Sequence, residues 1–356
     1  MLYCEWKATY MKKKILNLLK YLSFLGVGLF LVWWSLHQIS EDKWEDFKRV
    51  FATAKYWLFI PVFFILTASH VLRALRWKML IHPMGFNPSF PNTFFAVMIG
   101  YLANLAVPRL GEVLKCTILA KYEHVPADKL LGTIVAERAF DVLCLLIIFV
   151  AAFVLQFDII GEYGMNLLKS VFLDKAGSFE LIKLIIAGVI LLVMIVIIRI
   201  LLRKYDQIKI VHKIHAIFSG ILQGLLSVKD MKHKWQFILS SIGIWALYLL
   251  GTWVGFYGTS ATAGLPFEVA VSALAFASIG MIITPGGIGA YAFFMAKILQ
   301  KNGITFEIGF ANGTMQWFTQ FIIIIIVGFL SLGILPWYNK KNYNHEAIKI
   351  NPRKNI

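Results

Sequence analysis

Charge is scarce in this chain, and negative charge is scarcer: 19 Asp and Glu stand against 35 Lys and Arg in 356 residues, of which 15% are charged. A soluble domain carries roughly 25% charged residues. A chain this poor in them, 59% hydrophobic and with a mean hydropathy of +0.72, is a polytopic membrane protein rather than an ordinary soluble enzyme. Three cysteines, Cys4, Cys116 and Cys144, are too few and too scattered for a disulfide framework or a metal-ligand spacing. Gly-x-x-x-x-Gly-Lys-[Ser/Thr], His-Glu-x-x-His and Gly-x-Ser-x-Gly are all missing. Their absence excludes ATP hydrolysis by a phosphate loop, zinc proteolysis of that type and nucleophile-elbow hydrolysis. No cofactor and no metal are expected. The formal charge of +16 does not indicate nucleic acid, because the bases collect in short segments between apolar runs, where they set topology.

What is present is a series of apolar runs long enough to cross roughly 30 Å of hydrocarbon at 1.5 Å per residue, at 15–37, 56–77, 135–157, 181–202, 235–258 and 309–334. Two more, 91–107 and 268–284, end at Pro and Gly and are followed by shorter helical segments, 112–121 and 288–300. The segment Arg199 to Lys234 holds eight bases against Asp206 and Asp230, so it belongs in the cytoplasm. Its apolar residues recur at helical spacing over 203–234, which predicts an amphipathic cytoplasmic segment. The lysine-rich N-terminus and basic C-terminal tail also belong inside, and 158–180 outside. Counting crossings between these anchors makes 91–121 start and finish inside, and 268–300 start and finish outside. The expected fold is therefore all-α: one integral membrane domain of two inverted halves, about 15–157 and 181–334. Each half has three spanning helices plus a re-entrant or broken helical hairpin. The location this implies is the cell (inner or plasma) membrane.

The hairpin turns fall at Asn104-Leu-Ala-Val-Pro-Arg-Leu-Gly-Glu112 and Thr284-Pro-Gly-Gly-Ile-Gly289. Irregular backbone at bilayer depth survives only inside protein or beside a wet cavity, and paired interruptions point to a transport site. Gly111, Gly286, Gly287 and Gly289 permit close backbone approach. Helices starting beyond them aim N-terminal amides at an anion, with Asn104 and Thr284 as polar lining.

Charged residues gather around the first turn. Arg109, Glu112 and Lys115 follow it, and Glu137, Arg138 and Asp141 sit in the next span, at spacings of three and four that share a helix face. Six such groups facing lipid would cost roughly 15–21 kcal/mol, so they face one another, a wet cavity or the interface. Arg73 and Arg76 lie on one face of the second span with His70. Two readings stand: a salt-bridge network that locks the junction, with Arg73 and Arg76 snorkelling beside Trp77 to inner-leaflet phosphates, or a site for an anionic head group held by guanidinium groups. Counting all three elements, two positive charges are in excess.

Arg73-Ala-Leu-Arg-Trp77, Asn104 to Lys115, Ala136-Glu-Arg-Ala-Phe-Asp141 and Thr284-Pro-Gly-Gly-Ile-Gly289 resemble, in order and over about 15–335, the lysylphosphatidylglycerol synthase transmembrane-domain family. These are flippase-like membrane proteins related to the flippase half of the multiple peptide resistance factor. The resemblance implies two inverted halves with re-entrant helices and movement of a lipid, often aminoacylated phosphatidylglycerol, between leaflets. It makes Arg73, Arg76, Arg109, Glu112, Glu137, Arg138 and Asp141 the characteristic polar residues. The chain departs from the family twice: the soluble aminoacyl-transferase domain is missing, and Tyr291-Ala-Phe-Phe stands where a Glu often follows the glycines.

The leading expectation is a lipid flippase, not an enzyme, moving an anionic or aminoacylated phospholipid or a polyprenyl-phosphate lipid. Its head group would lie among Arg73, Arg76, Asn104, Arg109, Glu112, Glu137, Arg138, Asp141, Thr284, Gly286 and Gly287. The alternatives are a membrane enzyme with Glu137 or Asp141 as general base, or a scaffold for a separate lipid-modifying transferase.

Overall fold

Every regular element in the computed structural model is helical; the structure describes residues 22–23, 25–107, 109–157, 231 and 233–350. The expected span 181–202 and nearly all of the amphipathic segment 203–234 lie outside these residues. In chain order the helices are α1 (Leu25–His37), α2 (Trp44–Ala52), α3 (Phe59–Ile81), α4 (Phe90–Ala106) and α5 (Leu110–Glu123). They continue with α6 (Ala127–Leu155), α7 (Lys234–Phe256), α8 (Phe267–Ile283), α9 (Ala290–Lys301) and α10 (Phe306–Ile350). Four helical stretches among the described residues, containing α3, α6, α7 and α10, are long and apolar enough to cross a membrane. This is an all-α polytopic membrane protein.

Three element boundaries differ from the sequence reading in ways that matter. A short amphipathic helix, α2, occupies 44–52, where no element was expected. Trp44, Phe47, Val50 and Phe51 form one face and Glu45, Asp46, Lys48 and Arg49 the other, a pattern that suits an interface. The span expected at 135–157 begins at Ala127, directly after Pro126, its N-cap. Glu137, Arg138 and Asp141 therefore sit in the third and fourth turns of α6 rather than at its opening. Likewise α5 begins at Leu110, which makes Arg109 its N-cap.

The two hairpins are built alike. Val107 (φ −140°, ψ 116°) and Thr284 (φ −117°, ψ 150°) are both extended; each precedes a proline, whose ring disfavours the helical conformation in the residue before it. In each hairpin the residue after that proline is left-handed: Arg109 at φ 68° and Gly286 at φ 61°. The arms then close on glycine. A Cβ on Gly111 would overlap the Gly100 carbonyl oxygen, and one on Gly280 would fall 2.6 Å from the Tyr291 nitrogen.

The long helices show where each hairpin lies. The first half of α6 runs along α5, through Leu130, Ile134, Cys116 and Leu119, and its second half along α8, through Ala152, Val271 and Ala275. The helix α10 does the converse: Gly309 and Gly313 meet Ala296 and Ala292 of α9, then Gly328 meets Leu102 of α4. The α4 contact ends in a reciprocal amide pair, Asn92 with Asn339. The α4–α5 and α8–α9 hairpins thus occupy opposite ends of the bundle, and α3 and α7 pack against each other. Their tips meet: Leu105 lies 3.6 Å from where a Cβ on Gly286 would be.

Candidate functional site

Three helices converge on a buried charge cluster. Helix α3 contributes Arg73 and Arg76 one turn apart, α6 contributes Glu137 and Asp141 at i, i+4, and α5 contributes Lys115. The Arg73 guanidinium donates to Asp141 Oδ2 at 2.9 Å and Glu137 Oε1 at 3.4 Å. Arg76 reaches Asp141 Oδ1 at 2.6 Å, and the Lys115 ammonium reaches Glu137 Oε2 at 2.7 Å. Neutral donors and acceptors complete the shell. Arg73 Nε donates to the Tyr248 hydroxyl at 2.7 Å and Arg76 Nη1 to Ser241 Oγ at 3.2 Å, while Lys115 lies 4.5 Å above the Trp77 ring.

This arrangement is a salt-bridge network, and it turns Arg73 and Arg76 toward Asp141 and Glu137 instead of toward inner-leaflet phosphates. The side chains of Arg76 and Trp77 are both 0% exposed, so Trp77 is not an interface residue and Arg76 does not snorkel. The Trp77 indole instead donates to Thr133 Oγ1 at 2.8 Å. The buried network ties α3, α5, α6 and α7 together. A pair buried this well is costly to break, because the remaining partner becomes an uncompensated charge.

At the rim of the cluster, Arg138 donates to Glu112 at 3.2 Å and lies 3.6 Å from Asp141, with 43% of its side chain exposed. Arg109 is not in the cluster. It stands exposed at the tip of the first hairpin and forms no ion pair or side-chain hydrogen bond with any described residue. Its neighbours Val107, Leu110 and Val113 are exposed and apolar, as are Ile282 and Ile283 of the second hairpin. A fixed cation among exposed apolar side chains is poorly placed unless an anion meets it.

The remaining sequence candidates shape the backbone. Asn104 Oδ1 accepts from the Gly111 amide at 2.8 Å, capping α5 and withdrawing one amide that an anion would otherwise use. Thr284 is buried, and its hydroxyl donates to the Ile288 carbonyl at 3.0 Å. Gly287 is buried and Gly286 half-buried; the Gly286 carbonyl accepts from the Trp317 indole at 2.7 Å. Tyr291 is 2% exposed within a core of Phe256, Ala273 and Met295.

A cavity of about 470 Å³ opens between α3, α7 and α10, lined by Val62, Leu66, Tyr248, Gln316 and Phe318 among others. None of the sequence candidates lines it. Its link to the charges is Tyr248, which walls the cavity while its hydroxyl holds Arg73. Tyr248 and Ser241 were not legible as partners, because α7 brings them from 175 and 165 positions away.

Comparison with known proteins agrees with these motifs. The model of the lysylphosphatidylglycerol synthase TM region matches residues 21–337. The UPF0104 membrane protein MJ1595 of Methanocaldococcus jannaschii is 24% identical over 293 residues, covering 78% of this chain and 84% of that protein. No solved structure matches. With a family model spanning most of its length, this multi-span membrane protein belongs to the lysylphosphatidylglycerol synthase transmembrane-region family.

Proposed function

We infer that the protein is a lipid flippase, moving a phospholipid or polyprenyl-phosphate lipid between leaflets, and that it is not itself an enzyme. The observation that carries this reading is Arg109: an exposed guanidinium without a described partner, held at positive φ at the tip of a hairpin and flanked along the chain by the exposed apolar residues Val107 and Leu110. Guanidinium groups pair with phosphate oxygens bidentately and keep their charge when desolvated. A lipid phosphate has the charge and geometry to complete the site. Arg138, 43% exposed at the rim of the cluster and paired with Glu112 of the helix that Arg109 caps, is the second contact.

The transport geometry rests on two inverted halves. Helix pairs exchange in the manner expected of a two-fold relation: α6 with α5 then α8, α10 with α9 then α4, and α3 with α7. In this reading the hairpins enter from opposite faces and meet at their tips, Arg109 lies inside the bilayer on a re-entrant segment, and both chain ends are cytoplasmic; the contact of Leu105 with Gly286 supports it. Alternating movement of the halves around that level would change which leaflet reaches Arg109. The cluster of Arg73, Arg76, Lys115, Glu137 and Asp141 acts as the rigid anchor of this movement, holding α6, which carries Arg138, against α3 and α5.

The test is reconstitution in liposomes with head-group-labelled lipid, followed by an outside-only chemical quench. The parent chain is expected to raise the quenchable fraction above that of empty vesicles, and Arg109→Gln with Arg138→Gln to return it to that level. Equal rates for parent, variant and empty vesicles would remove the flippase reading. A chemically altered lipid in the extract would favour an enzyme instead.

A further inference from the structure

The ion pairs restrict what a bound head group can carry, because each described carboxylate of the cluster and its rim already has a cation. Glu137 is shared between Lys115 and Arg73 at 2.7 and 3.4 Å, and Asp141 between Arg76 and Arg73 at 2.6 and 2.9 Å. Glu112 holds Arg138 at 3.2 Å. Four cations of the cluster and its rim, Arg73, Arg76, Lys115 and Arg138, therefore face three acids, and Arg109 adds a fifth positive charge at the tip.

Among the described residues, Glu123 and Glu307 do not repair this imbalance. Glu123 accepts from Ser89 and Asn92 at the far end of the hairpin. Glu307 is buried with Oε1 unpartnered. It lies in the first turn of α10, ten residues before Trp317, which marks the tip of the second hairpin; at 1.5 Å per residue that is about 15 Å along the axis. The second tip, Thr284 to Tyr291, contains no Asp or Glu, and neither do the apolar runs 15–37 and 181–202. An ammonium group brought to Arg109 would meet like charge with no free carboxylate among the described residues of the cluster and its rim to receive it.

We propose that the site selects lipid phosphates that carry no ammonium group and discriminates against aminoacylated head groups. This rests on the reading of Arg109 as the phosphate contact. Phosphatidylglycerol, an anionic phosphodiester, fits the charge balance, as does a polyprenyl monophosphate. Lysylphosphatidylglycerol, whose two ammonium groups outweigh its phosphate, does not. Arg138 sets the selectivity by occupying Glu112: once Arg138 is neutralised, Glu112 becomes an acceptor for an amine.

Native mass spectrometry of the full chain in detergent separates binding from transport. Phosphatidylglycerol, a polyprenyl monophosphate and lysylphosphatidylglycerol are each titrated against the parent, Arg109→Gln and Arg138→Gln. The expected result is at least tenfold stronger retention of one or both anionic lipids over lysylphosphatidylglycerol, lost in Arg109→Gln, with lysylphosphatidylglycerol retention raised in Arg138→Gln. Which anionic lipid is kept identifies the source of the phosphate. Lysylphosphatidylglycerol retained as well as the anionic lipids, and still dependent on Arg109, would overturn the selectivity while leaving the phosphate contact standing. Retention of all three lipids unchanged by either substitution would overturn both.

Discussion

The two hairpin tips share a backbone and differ in chemistry. Both run from an extended residue through proline into a left-handed residue. At the second tip that residue is Gly286, half-buried, its carbonyl held by Trp317; α1 packs behind it, with Gly28 against Ile288. At the first tip the same place is taken by Arg109, exposed and without a described partner. A left-handed conformation costs a side-chain-bearing residue about 1–2 kcal/mol that glycine avoids. The second tip has the residue that suits the backbone. The first tip keeps one that strains it, and that retained strain at an exposed charge is what motivates the proposed role of Arg109.

The contrast can be sharpened by substitutions ranked by expected effect. The first tip stands on charge, so Asp141→Ala, which strips Arg73 and Arg76 of their shared partner, should lower stability by about 3–5 kcal/mol, measured by thermal unfolding in detergent. Both hairpins close on glycine, so Gly111→Ala and Gly280→Ala should each cost about 1–3 kcal/mol through backbone overlap, and equal losses would show that the two arms are equally tight. The tips themselves should respond in opposite directions: Arg109→Gly should gain about 1–2 kcal/mol and Gly286→Ala lose a similar amount. A loss in both would mean that Arg109 is a structural residue. Smallest is Trp317→Phe, which removes one indole hydrogen bond from the Gly286 carbonyl for about 1 kcal/mol and should leave lipid binding unchanged.

Much of this was legible in the residues. Pro and Gly announced both hairpins, whose helices lie within two residues of the expected bounds, because a proline's effect on its predecessor is local. The charged cluster announced itself through spacings of three and four on α5 and α6. How the charges divide did not show. Sequence spacing placed Arg109 with Glu112 and Lys115, whereas Arg109 is left-handed and pairs with no described residue, and Lys115 pairs with Glu137. Arg76 and Trp77 resembled an interface pair, yet both are enclosed: Phe237 of α7 covers Arg76, while Trp77 is packed against α5 and α6. The short helix α2 was missed because nine residues of mixed polarity fall below the length at which apolar runs are read.

The most direct test is the rate of lipid movement by Arg109→Gly in liposomes, read together with its unfolding temperature. The account predicts a chain at least as stable as the parent that moves lipid no faster than empty vesicles. A stable Arg109→Gly chain that moves lipid at the parental rate would contradict it.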